Sequence, residues 1–477
     1  MNRDRSTDRS LRRPGDVVIR RVVRRPQRVV IRPLSQRHRP PPPSLVLAAS
    51  FIIAIALGTL VLCLPIASAS GNWTSPLVAL FTATSAVCLT GLVLVDTATA
   101  WSPFGHVVIL VLIQLGGLGF MTGASLAFIL LGRRLSLNER LIVREAVGAF
   151  GIGEAAKLAR RVALTMLALE ASGAALLFAA FAVDRPAGEA LWYAIFHAVS
   201  AFNNAGFDLM GGFRSLTGYQ TQPIVLLPIA ALIMLGGMSY MTLAEIASRR
   251  RFRRLSVDSK IVLLTTTILW LSGTAVFLAT EWRNPATLGP LALPDKLLNA
   301  FFQSVVVRSA GYNAIDIAAL TPDAQFFTVA LMFIGGASAS TAGGIRLNTF
   351  SLLFFAILAA ARGSTEVVAF GRTVPNVLVL RALSIALLSV AFVFLATFGL
   401  ALVEGAAFLA LLFETVSAFG SVGQTTGITP SLSPAGSLIV AATMLIGRLG
   451  PLTLAVLLAG RVRPVRVRPA EEMIRVG

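Results

Sequence analysis

Long apolar runs alternate with short polar segments along this chain, each run close to or beyond the roughly 20 residues needed to cross about 30 Å of hydrocarbon. They fall at Ser44–Pro65, Val107–Leu131, Val162–Val183, Ile224–Ile246, Ile261–Thr280, Val377–Val403 and Leu438–Leu458. An eighth, Phe326–Ala361, is too long for one crossing and carries Gly, Ser and Thr in its middle. Four shorter apolar segments lie between them, roughly Ser75–Ala86, Gly188–Ala201, Asp295–Val306 and Gly405–Ala418. As helices these reach the middle of a bilayer without crossing it. Each is followed by a short glycine loop: CLTGL at Cys88–Leu92, NNAGF at Asn203–Phe207, RSAGY at Arg308–Tyr312 and SVGQ at Ser421–Gln424. The glycines Gly91, Gly206, Gly311 and Gly423 stand 115, 105 and 112 residues apart, a regular period that marks an internal repeat.

The pattern predicts an all-α polytopic membrane protein. Each of its four repeats reads as a spanning helix, a re-entrant half-helix, an extended loop and a second spanning helix, giving eight spans and four half-helices. Repeats 1 to 4 cover residues 44–131, 158–247, 260–361 and 376–460, with cytoplasmic linkers at 132–157, 248–259 and 362–375. Non-helical backbone at mid-membrane depth is tolerated only where it lines water or is buried in protein, so four such loops imply a central pore. The half-helices would direct their partly negative C-termini at it, and loop carbonyls would replace water around a cation.

Composition agrees. Of 477 residues, 56% are hydrophobic and 13% charged, more apolar surface than one soluble core hides. The net charge of +19 is concentrated in an arm at 1–43, which holds thirteen arginines, in segments Arg133–Arg161 and Arg249–Lys260, in the loop with Arg362 and Arg372, and in a tail at 461–477. Asp96, Asp184, Glu189, Asp208, Glu281, Asp295, Asp316, Asp323 and Glu404 fall in the opposite loops, among scattered Arg185, Arg214, Arg283 and Lys296. By the positive-inside rule both termini are cytoplasmic, and the charge speaks of topology rather than of nucleic acid. The Pro-rich arm reads as unfolded; its Arg3–Arg39 stretch either enforces topology or also meets anionic lipids. No cleavable signal is apparent, since the first apolar segment is of spanning length. Cys63 and Cys88 sit in apolar sequence and imply neither a disulfide nor a metal cluster.

The motifs AVCLTGLVLVDT at Ala86–Thr97, QLGGLGFMT at Gln114–Thr122, AFNNAGFDL at Ala201–Leu209, RSAGYNAID at Arg308–Asp316, GGASASTAGGIR at Gly335–Arg346 and SAFGSVGQ at Ser417–Gln424 together resemble the Trk/Ktr/HKT superfamily of potassium transporters, most nearly its KtrB-type membrane subunits. The likeness runs from residue 44 to about 460, with motifs of all four repeats in family order. It implies a filter of Cys88, Leu89, Thr90, Gly91, Asn204, Ala205, Gly206, Ser309, Ala310, Gly311, Ser421, Val422 and Gly423, whose carbonyls bind potassium. Serine at the first glycine position goes with sodium-selective plant members, so Gly91 favours potassium. The resemblance also implies a homodimer with one pore per protomer in the bacterial inner membrane, a possible dependence on Na+, and a cytosolic nucleotide-binding ring of the RCK type, similar to KtrA or TrkA. No covalent cofactor is implied, and the chain carries no Walker loop of its own.

Within the broken third-repeat segment, Gly335–Gly344 cannot stay a regular helix in lipid, and in the family this loop is a gate below the filter. Its candidate residues are Gly335, Gly336, Ser338, Ser340, Thr341, Gly343, Gly344, Arg346 and, from the last helix, Arg448. Ala337, Ala339 and Arg346 depart from the serine, glycine and lysine usual there. A kinked helix packed through small residues is the alternative. Arg448 reads equally as a gate partner or as an arginine snorkelling to the cytoplasmic surface. The resemblance gives Arg308 a bond to a pore-helix carboxylate, with Glu414 as partner.

His197 reads as a packing residue rather than a ligand, Glu170 as bonded to a neighbouring helix in preference to flanking the permeation path, and Asn203 and Asn204 as braces of their loop. A membrane enzyme built on Glu170, Glu414 and His197 is disfavoured because the three fall on different repeats without a nucleophile motif. A sodium-permeable or weakly selective pore is the remaining alternative, with Gln424 beside the fourth glycine as its support.

Overall fold

The computed structural model describes residues 43–130, 155–338 and 340–450. The arginine arm short of Pro43, the linker up to residue 154, Ala339 and the tail at 461–477 lie outside the described residues.

Helices appear in the anticipated order. Repeat 1 runs α1 (Pro43–Cys63), the half-helix α2 (Pro76–Cys88), a four-residue α3 (Thr97–Ala100) and α4 (Pro103–Leu130). Repeat 2 has α5 (Ala155–Phe181), half-helix α6 (Ala187–Phe202), α7 (Pro223–Gly237) and α8 (Tyr240–Arg249). Repeat 3 has α9 (Val257–Glu281), half-helix α10 (Leu293–Val306), α11 (Pro322–Phe333) and α12 (Leu347–Ala361). Repeat 4 has α13 (Asn376–Val403), half-helix α14 (Phe408–Phe419) and α15 (Pro434–Leu449). Prolines at the first helical turn open α2, α7, α10, α11 and α15, where the missing N–H costs nothing. The half-helices hold 13, 16, 14 and 12 residues, which at about 1.5 Å per residue leaves them short of the bilayer's width.

Among the described residues three helices are long and apolar enough to span by themselves, over Arg160–Phe181, Val257–Glu281 and Asn376–Val403. Four of the other expected crossings are interrupted or cut short, while α1 is one continuous helix. The continuous span expected at Ile224–Ile246 is instead α7 and α8, bent by 101° at a short break. The expected run Val107–Leu131 bends inside α4 at Gly119, where φ is 65°. The third-repeat run parts, as anticipated, into α11 and α12 around a non-helical stretch. α15 stops at Gly450, whose φ is 85°.

The C-terminal halves of the half-helices are buried. α2 packs with α1 and α4, α6 with α5 and α7, α10 with α9, and α14 with α11, α13 and α15, so that Phe81, Phe196, Phe302 and Phe413 are fully enclosed. By contrast α13 leaves Val377, Leu380, Leu387, Phe394 and Leu402 exposed, the apolar exterior of a helix made for lipid or another apolar surface. The linker at 362–375 holds a hairpin that the periodicity does not announce. β1 (Val367–Ala369) pairs antiparallel with β2 (Arg372–Val374), and both turn residues, Phe370 and Gly371, take positive φ.

Candidate functional site

The four glycine loops meet as a ring. A Cβ on Gly91 would stand 2.6 Å from the Ala205 carbonyl oxygen, one on Gly206 2.9 Å from that of Ala310, and one on Gly311 2.6 Å from that of Val422. A Cβ on Gly423 would collide with the carbonyl oxygen of Thr90. Each glycine therefore packs on the residue before the next glycine, and the fourth closes on the first. A side chain at any of the four drives into backbone, which cannot yield as a flexible side chain can.

The loops share a backbone form. Their glycines have φ of 91°, 72°, 76° and 94°, and the residues two places earlier, Leu89, Asn204, Ser309 and Ser421, have φ of 57°, 57°, 75° and 48°. Non-glycine residues avoid this region unless their surroundings hold them there. The intervening amides do so. Thr90, Ala205 and Val422 donate to the carbonyls of Ser85, Ser200 and Ser417 at 2.8 Å, and Ala310 to Val306 at 3.1 Å. The Ser85 and Ser417 hydroxyls accept from the N–H of Gly91 and Gly423 at 3.0 and 3.1 Å. Ser200 donates instead to the Phe207 carbonyl at 2.8 Å, and Val305 stands at the equivalent place in the third loop. The Tyr312 hydroxyl, donating to Phe207 O at 3.0 Å, ties the third loop to the second. A serine six residues before the glycine in three of four repeats is a periodic signal that sequence reasoning missed.

On one side of the ring a cavity of about 30 Å³ is bordered by Gly91, Gly206, Asp96 and Asp208. Asp96 caps α3 by accepting from Ala98 N at 2.8 Å and also holds Phe213 N at 3.1 Å. Burial pushes the Asp208 carboxyl up to about 6, with the nearby Asp96 charge adding to the rise.

On the other side lies the stretch from Gly335 to Arg346. It is pinned to the break between α7 and α8, whose freed carbonyls become acceptors: Ala337 N donates to Gly237 O at 3.0 Å and the Thr341 hydroxyl to Gly236 O at 2.9 Å. Gly335 N donates to Ile345 O and Leu347 N to Gly336 O, both at 2.9 Å, which closes the loop on itself. Ser338 N donates to Asn348 Oδ1 and Ser340 to Ala337 O. Gly343 N donates to Ser309 Oγ at 2.9 Å, and Gly344, with φ of 71°, lies against Gly420. The Asn204 amide meets the Thr341 hydroxyl at 2.8 Å; with its oxygen turned toward Thr341 and Gly237 N, its nitrogen donates to Ile233 O, and the single Thr341 hydrogen is shared between Asn204 and Gly236 O.

Arg448 donates to the Thr341 carbonyl and, at 2.8 Å, to Gly116 O, so it joins the loop to α4 rather than reaching for the surface. Arg346 donates to Ala342 O within its own loop. Both line a cavity of about 270 Å³ with Gly117, Gly119, Met166 and Thr341.

One expected bond is not formed. Arg308 donates to Gly335 O at 3.1 Å, its guanidinium 6.0 Å from the centre of the Trp270 ring, while Glu414 accepts from Thr425 at 2.8 Å and from Thr429. Two hydroxyls from the loop after the fourth glycine already satisfy that carboxylate, and the third-repeat break supplies the carbonyl for the arginine. Glu170 accepts from Gln114 at 3.1 Å and Asn203 at 3.0 Å, bridging α4, α5 and the second loop. His197 accepts from Leu209 N at 3.3 Å and donates through Nδ1 to Tyr193 O at 2.7 Å. Gln424 is held by Gln303 and, at 2.8 Å, by Tyr312 O. No group of three or more metal-ligating side chains occurs among the described residues.

A second periodic signal was also missed. Gly116, Gly236 and Gly447 each press on the carbonyl of a half-helix's last turn, at Val87, Phe202 and Phe419. In the paired positions Gly117, Gly237, Gly336 and Arg448, the fourth repeat puts an arginine where the other three have glycine.

The family described as TrkH, a cation transport protein, matches residues 34–462. The chain is 40% identical over 412 residues to the Ktr system potassium uptake protein B of Bacillus subtilis, covering 86% of this chain and 92% of the relative. It is 37% identical over 443 residues to the potassium/sodium uptake protein NtpJ of Enterococcus hirae, covering 91% and 97%. The fold is similar to the crystal structure of the potassium transporter TrkH from Vibrio parahaemolyticus, with a TM-score of 0.69, 18% identity and coverage of 88% and 86%. The half-helices, the glycine ring and a family match that runs nearly end to end are the parts of one design, and the chain belongs to the TrkH family of cation transport proteins.

Proposed function

We propose that this protein takes up potassium across the bacterial cell membrane through the ring of Gly91, Gly206, Gly311 and Gly423, moving the ion down its electrochemical gradient. The closed ring carries this reading: four loops, one from each repeat, bring four backbones together where carbonyls can replace an ion's water. Filter carbonyls come from Cys88–Gly91, Asn204–Gly206, Ser309–Gly311 and Ser421–Gly423, and Gly335–Arg346 with Arg448 is the gate. The Ktr-system name of one relative supports a cytosolic regulatory subunit, which we take to be a nucleotide-binding ring acting on a homodimer with one pore per protomer. Basic residues at Arg249–Arg254, Arg362 and Arg372 support a cytoplasmic placement of those loops and of both termini.

A sodium-permeable pore is the second reading, kept by the potassium/sodium name of the Enterococcus relative. Gln424 no longer favours it, since its amide is engaged by Gln303 and Tyr312. The test is rubidium uptake in potassium-starved bacteria lacking their own uptake systems, with sodium as competitor. Uptake that resists sodium, and falls in Gly91→Ser and Gly311→Asp, supports the potassium filter. Uptake indifferent to both substitutions overturns it, and uptake abolished by sodium favours the second reading.

A further inference from the structure

The gate loop does not merely lie beneath the filter; it is bonded to it. Ser309 sits two residues before the third glycine, and its hydroxyl oxygen accepts from Gly343 N of the gate loop at 2.9 Å. The same oxygen lies 3.0 Å from Gly420 O and 2.9 Å from Ser421 O of the fourth filter loop. A hydroxyl has one hydrogen, so it is shared between two carbonyls while a lone pair takes the gate's N–H. Ser421 Oγ beside it is buried without a partner, and a Cβ on Gly343 would strike it. The Gly343 N–H is thus the bond by which the gate loop fixes the Ser309 hydroxyl between the third and fourth loops. Asn204, the matching residue of the second loop, meets Thr341 at 2.8 Å, and Arg308 holds Gly335 O. The first loop has Leu89 at that position, with no polar atom to offer.

We infer that Ser309 is a positioning residue that couples gate to filter: its hydroxyl holds the third and fourth loops in register only while the gate loop is seated. Withdrawal of the gate removes Gly343 N from Ser309 and Thr341 from Asn204 together. Loops two to four are then released relative to the first, and the ring's selectivity relaxes as flux rises. Ser309 itself has a φ of 75°, a conformation that needs such outside support. The inference rests on the filter and gate reading proposed above.

The test uses the full chain in vesicles of phosphatidylethanolamine and phosphatidylglycerol, with radioactive rubidium and sodium fluxes measured separately. Arg448→Ala, which frees the gate, is expected to raise rubidium flux several-fold and lower the rubidium-to-sodium ratio several-fold. Ser309→Ala should produce the same two changes, and the double variant should lower the ratio no further. Thr341→Val should behave like Ser309→Ala, whereas Thr341→Ser, which keeps the hydroxyl, should behave like the unaltered chain. Arg448→Ala raising flux at an unchanged ratio, additive effects in the double variant, or a loss of flux in Ser309→Ala overturns the coupling. Should Ser309→Ala not assemble, the Thr341→Val and Thr341→Ser pair decides by the same readouts. If Gly91→Ser also leaves the ratio of the otherwise unaltered chain unchanged, the filter reading itself has failed rather than the coupling alone.

Discussion

The two sides of the glycine ring are built from opposite charges. One side carries Asp96 and Asp208 next to Gly91 and Gly206, while the other carries Arg308, Arg346 and Arg448 around the Gly335–Arg346 loop. On the reading proposed above, a cation is drawn toward the first side and repelled by the second. The arginines are spent on backbone carbonyls, Gly335 O, Ala342 O, Thr341 O and Gly116 O, rather than on carboxylates. Their bonds tie the Gly335–Arg346 loop to itself, to the third glycine loop and to α4.

The largest effect is expected from breaking the ring that both sides share. Gly423→Ala puts a methyl group into the Thr90 carbonyl, and rubidium uptake should fall to background with the protein still present in the membrane by immunoblot. Next comes the positive side. Arg448→Ala removes two bonds from gate to frame, and uptake without any added regulatory subunit should rise several-fold; unchanged uptake would mean that the arginine is a packing residue only. On the negative side, Asp208 is held up to about 6, so it is charged above that value and becomes neutral as the outside pH falls through it. Uptake should therefore decline below about pH 6, and Asp208→Asn should flatten the profile at the lower level. The smallest effect tests the backbone frame between the two. Ser85→Ala removes one acceptor from Gly91 N and should lower thermal stability by about 1 kcal/mol while uptake persists. The third loop, with Val305 in that place, already manages without it.

Much of this arrangement was legible along the chain. The spacing of Gly91, Gly206, Gly311 and Gly423 announced the repeat, and short apolar segments followed by glycine loops announced half-helices, because half-length and depth follow from composition alone. The break in the second repeat was not legible, although a Leu-Gly-Gly doublet stands there as in the first repeat. Glycine pairs are common between membrane helices, and only the demand of Ala337 and Thr341 for acceptors turns this one into a bend. Pairing Arg308 with Glu414 failed for a related reason. Opposite charges suggested a bond, but Thr425 and Thr429 lie close to Glu414 along the chain and reach it first.

What the sequence by itself determined was the helical membrane character of the chain and the order of long and half-length helices, since these depend on the order and length of apolar and polar runs against a layer of known thickness. What only the tertiary structure decided was which polar atoms meet. Ser309 with Gly343, Asn204 with Thr341 and Arg448 with Gly116 join residues 34, 137 and 332 positions apart. Hydrogen bonds act over a few ångströms and are set by the folding of the chain, and no local pattern encodes which distant carbonyl will be left free to accept.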